Sequence, residues 1–112
     1  MNIQIFGSKK SFDTQKTERY FKERKIKYQY IDILKYGLSK GEFESVRTAV
    51  GLGELINSKA KQYTTLNMHM LGTGSAAQEV LFNNPALYNT PIVRNGRKAT
   101  VGYKPEVWKE WE

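Results

Sequence analysis

The residues with the clearest chemical potential form one short stretch, Gly7 to Thr14, with the sequence GSKKSFDT. The apolar run Ile3 to Phe6 precedes it and predicts a strand. A helical pattern follows it, which makes Ser11 or Asp13 the candidate N-cap. A helix that begins directly after a buried strand directs several free backbone N–H groups at one point. That point favours an anion or a thiolate.

Four side chains of this stretch could act at that point. Ser11 and Thr14 have the spacing of a Cys-x-x-Cys motif in which both sulfurs are replaced. Lys9 and Lys10 could recruit an anion together with the free N–H groups. A purely structural alternative exists for Ser11 and for the two lysines, because serine is a common N-cap and neighbouring lysines often form a solvated pair.

Cysteine is absent and His69 is the only histidine. The chain as written therefore has no disulfide, no thiol nucleophile and no thiolate ligand. We predict no metal site, since a zinc site of the usual kind needs several Cys or His ligands.

The chain is short and basic, with 112 residues, a net charge of +7 and 39% hydrophobic residues. This size predicts one domain, residues 1–112, with a single core. Residues 1–35 hold nine of the eighteen Lys and Arg but four of the eleven Asp and Glu. The excess favours anionic partners, although no nucleic-acid motif accompanies it, which disfavours direct nucleic-acid binding. With no membrane span and no signal peptide in view, we expect a cytoplasmic monomer.

Hydrophobic periodicity predicts an α/β fold with a thioredoxin-like order. A βαβ unit and a ββα unit would share one four-stranded mixed sheet, and a helical insert at about 37–88 would separate them. The charges of the first helix, including Glu18, are predicted to lie mostly on its outer face. The predicted strands are Asn2–Phe6, Lys27–Ile33, Thr90–Arg94 and Arg97–Tyr103, and the predicted helices are Asp13–Lys25, Lys40 to about Val50, a broken Glu54–Leu66, Ala76 to about Phe82 capped by Ser75, and one starting at Pro105.

Several short motifs, in order along nearly the whole chain, resemble the arsenate reductase-like (ArsC/Spx) family of thioredoxin-fold proteins. They are IFGSKKSxxTxK at 5–16, FKxRxIxY at 21–28, NPxL at 84–87, TPIVRNG at 90–96 and VGY at 101–103. The resemblance implies a glutaredoxin-like fold. It also implies that Pro91 occupies the family's cis-proline position, facing the N-terminus of the first helix.

The resemblance implies one of two activities. In arsenate reductases, a cysteine at the position of Ser11 attacks bound arsenate, and glutathione and glutaredoxin complete the reduction. In the Spx branch, cysteines at the positions of Ser11 and Thr14 form a redox disulfide. That branch binds the C-terminal domain of the RNA polymerase α subunit, and Gly51 lies where it uses a glycine on the contacting surface. The structural alternative for Gly51 is a glycine that ends a helix, which is the commoner case.

This chain departs from the family pattern at its charged positions as well. The oxyanion-binding arginine of the insert corresponds to Lys59, which keeps the charge but loses the bidentate fork. The arginine that precedes the proline corresponds to Thr90. Arg94 and Arg97 are the candidates to compensate for that loss.

Two hypotheses follow. In the first, the chain is the scaffold of a thiol-dependent oxidoreductase acting on arsenate or a glutathione-linked substrate, inactive in thiol chemistry because Ser11 stands at the nucleophile position. Its anion-binding residues would be Lys9, Lys10, Thr14, Lys59 and Arg94, and no cofactor would be bound. In the second, it is a redox-silent adapter for the RNA polymerase α subunit or another protein. An engineered Cys→Ser replacement would leave the same serine at position 11. The parent protein would then be a thiol enzyme with a single cysteine.

Overall fold

The computed structural model describes all 112 residues, in a chain of four strands and seven helices. The strands are β1 (Ile3–Gly7), β2 (Tyr28–Asp32), β3 (Ile92–Asn95) and β4 (Lys98–Val101). The helices are α1 (Phe12–Glu23), α2 (Ile33–Tyr36), α3 (Lys40–Val50), α4 (Leu52–Leu55), α5 (Lys61–Thr65), α6 (Ser75–Asn83) and α7 (Pro105–Trp111). Short 3-10 turns lie at Met68–Met70 and Pro85–Leu87.

The four strands form one mixed sheet in the order β2-β1-β3-β4. Strands β1 and β2 are parallel, while β3 is antiparallel to both β1 and β4. Helix α1 is the crossover of the βαβ unit, and helices α2 to α6 occupy the chain between β2 and β3. The predicted α/β fold with a four-stranded mixed sheet is confirmed.

Side-chain alternation along the strands gives the sheet two buried faces. Ile3, Ile5 and Val93 pack with Tyr20, Phe21 and Trp108 of α1 and α7. On the opposite face, Phe6 and Ile92 pack with α2, α3, α4 and α6. Every strand therefore presents one set of residues to α1 and α7 and the alternate set to the insert. This decides which side chains can reach the N-terminus of α1.

Three local predictions are wrong. Glu18 is buried on the inner face of α1, with only 8% of its surface exposed. Ser75 is the first residue of α6, and the cap position is Gly74, without a side-chain hydrogen bond. The predicted strand Lys27–Ile33 ends at Asp32, because Ile33 begins the helical turn α2, which is capped by the Asp32 carboxylate accepting from the Leu34 N–H. No helix is long and apolar enough to span a membrane.

Candidate functional site

Ser11 occupies the N-cap of α1, and its hydroxyl serves the helix. Its Oγ accepts a hydrogen bond from the Thr14 N–H at 3.2 Å, and its backbone is extended, as a cap requires. The next two N–H groups, those of Phe12 and Asp13, have no hydrogen-bond partner in the protein. Two donors therefore remain free at the start of this twelve-residue helix, beside a hydroxyl that is already in use.

Thr14 lies beneath the loop and is fully buried. Its Oγ1 accepts from the Ser8 N–H at 3.4 Å. A Cβ atom at Gly7 would lie 2.6 Å from both Oγ1 and Cγ2 of Thr14, so the loop passes directly over this side chain. The structure thus places Thr14 as the packing support of the Gly7–Ser8 turn, away from solvent.

Lys9 is paired within the protein. Its Nζ lies 3.0 Å and 3.2 Å from the two oxygens of the Glu18 carboxylate, and it sits 4.1 Å from the centre of the Tyr30 ring. The hydroxyl of Tyr28 donates to the same carboxylate at 3.0 Å, and that of Tyr30 donates to the Gly7 carbonyl at 3.2 Å. The cluster ties the loop, α1 and β2 together, and the Lys9 charge is compensated there.

Burial and this carboxylate change the acidity of the two tyrosines. Burial, the hydrogen bond to Glu18 and the charge of Glu18, in decreasing order of effect, together raise the pKa of Tyr28 to about 12. Burial also raises the pKa of Tyr30, as do the charges of Asp32 and Glu18. Both hydroxyls are therefore hydrogen-bond donors at neutral pH.

This cluster is not predicted from the sequence, because Glu18 stands among charges that are typical of the solvated face of a helix. A signal was present in the spacing. Glu18 follows Thr14 by four residues and precedes Phe21 by three, which places all three on one side of a helix. Tyr28 and Tyr30 lie two residues apart on β2, so both side chains are on the same face of the sheet, the face that α1 covers.

The other predicted residues discussed with the loop, Pro91, Lys10 and Lys59, differ in position and exposure. Pro91 directly precedes β3, whose Ile92 pairs with Phe6, so it lies beside the end of β1 that leads to Ser11. The Thr90–Pro91 peptide bond is cis. Lys10 and Lys59 are exposed, and neither side chain has a hydrogen bond or an ion pair in the protein.

Arg94 is not brought to the N-terminus of α1. It pairs with Gln4 across β1 and β3, on the face opposite to α1. Its Nη1 donates to Gln4 Oε1 at 2.9 Å and its Nε to Ser45 Oγ of α3 at 3.2 Å. The expected compensation by Arg94 fails because side chains alternate along a strand, and Arg94 falls on the other face from Val93, which packs against α1 and α7.

The chemistry that this arrangement supports is limited. There is no thiol, and none of the four surface clefts is lined by Ser11, Thr14 or Lys59. No group of three or more His, Asp or Glu side chains is placed to hold a metal ion. What remains is a well-formed helix N-terminus with two free N–H groups and an exposed aromatic side chain, Phe12.

Comparison with known proteins assigns this architecture. The sequence profile of the ArsC family matches residues 6–111. The chain belongs to the ArsC family. The match includes the Ser11 loop, the insert and the β3–β4 hairpin.

Individual relatives of this ArsC-family protein are distant but cover its full length. The global transcriptional regulator Spx 2 of Oceanobacillus iheyensis is 24% identical, in an alignment that covers 100% of this chain and 94% of the relative. An arsenate reductase from Vibrio cholerae has a TM-score of 0.85 at 24% identity, covering 98% of this chain and 97% of its own. An ArsC family related protein from Bacteroides fragilis has a TM-score of 0.82 at 21% identity, covering 100% and 98%. The two structures share the fold of this chain.

Proposed function

We propose that this ArsC-family protein acts by binding a protein partner and not by thiol chemistry. The observation that carries the proposal is the hydrogen bond from the Thr14 N–H to Ser11 Oγ at 3.2 Å. At the position where the family's resemblance implies a nucleophile, the side chain is a helix cap. A serine hydroxyl cannot replace a thiolate in disulfide or glutathione exchange.

The proposed partner is the C-terminal domain of the RNA polymerase α subunit. The likeness to a protein named as a global transcriptional regulator supports a role in transcription. Gly51, the residue that corresponds to the Spx contact glycine, is exposed between α3 and α4, and nothing lies within 4 Å of a Cβ built there. An open position of this kind leaves room for close approach by a partner surface. Such a partner would place the chain in the cytoplasm, acting as a monomer.

Binding of the purified α C-terminal domain tests this proposal. We expect saturable binding by calorimetry, and we expect Gly51→Arg to abolish it by adding bulk and charge at the contact. Because Gly51 has a φ of +86°, any side chain strains the backbone there. Gly51→Ala is therefore the matched control, and it should retain most of the binding. Absence of binding by the unmodified chain would reject this partner, and equal loss in both variants would reject the surface.

A thiol-dependent oxidoreductase scaffold is the second candidate. It is favoured by the two unpartnered N–H groups of Phe12 and Asp13, which could hold an oxyanion or a thiolate. Its substrate would be arsenate or a glutathione-linked compound, with glutathione as co-substrate. Arsenate at millimolar concentration should then shift the backbone amide signals of residues 8–14, whereas a spectrum that stays unchanged there would argue against this candidate.

A further inference from the structure

We propose a second site, which binds a phosphate group, on the sheet face covered by α3. It is formed by Ser45, Thr48 and Arg97, which line one cleft, together with Arg94 directly behind Ser45. We call it the α3–hairpin site. Its ligand class is inorganic phosphate or the phosphate of a phosphomonoester. It is independent of the partner-binding function proposed above.

Arg94 orients the Ser45 hydroxyl and places a positive charge behind it. Its guanidinium is fixed by two hydrogen bonds, to Gln4 Oε1 and Ser45 Oγ, and Gln4 is itself held by its amide donating to Gln29 Oε1 at 3.2 Å. A guanidinium has five N–H groups, so three remain without a partner in the protein. The half-buried Arg94 forms no ion pair, which leaves a positive charge uncompensated at the base of α3.

The cleft beside Ser45 is lined by Gly41, Glu44, Ser45, Thr48 and Arg97. It has a volume of about 450 Å³, and no hydrophobic residue contributes to its wall. Ser45 and Thr48 lie three residues apart on α3, so their hydroxyls share one side of the helix. Because Ser45 Oγ accepts from Arg94, its own O–H is available to donate to a ligand. Arg97 lines the same cleft from the β3–β4 turn, and its side chain has no ion pair.

These donors match a tetrahedral dianion better than a carboxylate. A phosphate presents oxygens in several directions, and here the two hydroxyls of α3 and the Arg97 guanidinium of the turn line the cleft, while the Arg94 charge lies behind Ser45. The volume also leaves room for a small organic group on the phosphate. Glu44 lines the same cleft and is not paired with any cation, so its charge opposes the ligand. Removing that charge should therefore strengthen binding.

The α3–hairpin site is separate from the N-terminus of α1. Gln4, which holds Arg94, precedes Gly7 by three residues on β1, a separation of about 10 Å along a strand. The two sites also lie on opposite faces of the sheet. Ligand-induced changes at one are thus distinguishable from changes at the other.

Titration of the full chain with inorganic phosphate, followed by NMR, tests the proposal. We expect saturable shifts of the Arg94 side-chain Nε–H and of the amides of Ser45, Thr48 and Arg97, with chloride at equal ionic strength giving none. Arg97→Ala should weaken binding about tenfold, the effect of one charge-assisted contact. Lys98→Ala is the matched control, because Lys98 is exposed and shares the face of Thr100, which contacts Trp108 on the α7 side.

The outcomes separate clearly. Glu44→Gln should tighten phosphate binding. Binding of O-phosphoserine at the same residues would identify a phosphomonoester as the ligand. Binding of inorganic phosphate alone would identify the free ion. Equal weakening by Arg97→Ala and Lys98→Ala would overturn the site in favour of diffuse charge attraction. Shifts confined to residues 8–14, or no saturable shifts, would overturn it as well. Circular dichroism spectra of each variant check that the fold is retained.

Discussion

The Lys9 ammonium lies 3.0 Å from the Glu18 carboxylate, and this ion pair holds the loop between β1 and α1. Glu18 is almost buried, whereas the Lys9 side chain is 66% exposed. The carboxylate therefore depends on its partners for the hydrogen bonds that water would otherwise supply. A lysine that the sequence offers as an anion ligand is, in the fold, a partner of the protein's own anion.

Glu18→Gln should destabilise the protein by about 1 kcal/mol, because it removes the charge that Lys9 and Tyr28 recognise. The Lys9 contribution is small because that side chain is solvated. Urea denaturation measures the change. Glu112→Gln, which breaks the 3.9 Å surface pair with Arg24, is the control and should change the free energy of unfolding by less than about 0.5 kcal/mol. Equal effects of the two variants would contradict the assigned role of Glu18.

Gly7→Ala should cost about 1 to 3 kcal/mol, because the added methyl group would overlap Thr14. The double variant Gly7→Ala/Thr14→Ala should be more stable than the sum of the two single changes predicts, since the clashing atoms are gone. Gly41→Ala, in α3 with open space around it, should instead be neutral or stabilising by up to about 1 kcal/mol. Thermal or urea unfolding of the four variants provides the double-mutant cycle, and strict additivity would contradict the contact.

The pKa of Tyr28, raised to about 12, predicts a loss of stability in alkali. Its value in the unfolded chain is about 10, so the folded state keeps the proton more tightly. The contribution of Tyr28 to stability is therefore complete below about pH 10, and it is lost as the pH rises through 12. Tyr28→Phe should reduce the slope of unfolding free energy against pH in that window.

Glu18→Gln gives a second test of the same titration. It should lower the pKa of Tyr28, because the Glu18 charge and hydrogen bond add to the effect of burial. Ring-carbon NMR signals of Tyr28 report its ionisation directly in both proteins. A Tyr28 pKa of about 10 in the unmodified chain would contradict the structure around this hydroxyl.

Ser11→Cys should have a thiol pKa below the ordinary 8.5, at about 7, because the free N–H groups of Phe12 and Asp13 favour a thiolate at the cap. Absorbance of the thiolate against pH measures it. The Asp13 carboxylate opposes the shift, so Ser11→Cys/Asp13→Asn should titrate lower still. An unshifted value in both variants would mean that the helix N-terminus stabilises no anion, which would count against the oxidoreductase scaffold.

The succession of strands and helices along the chain is predictable because it depends on local periodicity and turn chemistry. The capping box Ser39-x-x-Glu42 starts α3 at Lys40, and Asn95-Gly96 turns β3 into β4, both as their residue types require. The end of β1 and the start of α1 each differ by one residue from the predicted boundary. Such shifts are expected where the fraying of an end depends on neighbours.

The site could be predicted only in part. The placement of Ser11 at the N-cap follows from its residue type and from its position before a helical pattern. The pairing of Lys9 with Glu18 and Tyr28 joins residues 9, 18 and 28, whose proximity needs α1 to cross over the sheet. The direction of Arg94 depends on the register of β3 against β1, and a shift of one residue would reverse the face on which it lies.

The sequence by itself determined the succession of strands and helices, the absence of thiol chemistry and the motifs of the ArsC family, because residue type and spacing act within a few residues. Only the tertiary structure decided where each charge is compensated. A cation's role depends on which carboxylates, hydroxyls and sheet faces lie within a few ångströms, and chain crossing and strand register bring those together. For that reason Lys9 and Arg94, alike in charge and both predicted beside Ser11, are separated by the sheet, with Lys9 paired and Arg94 facing α3.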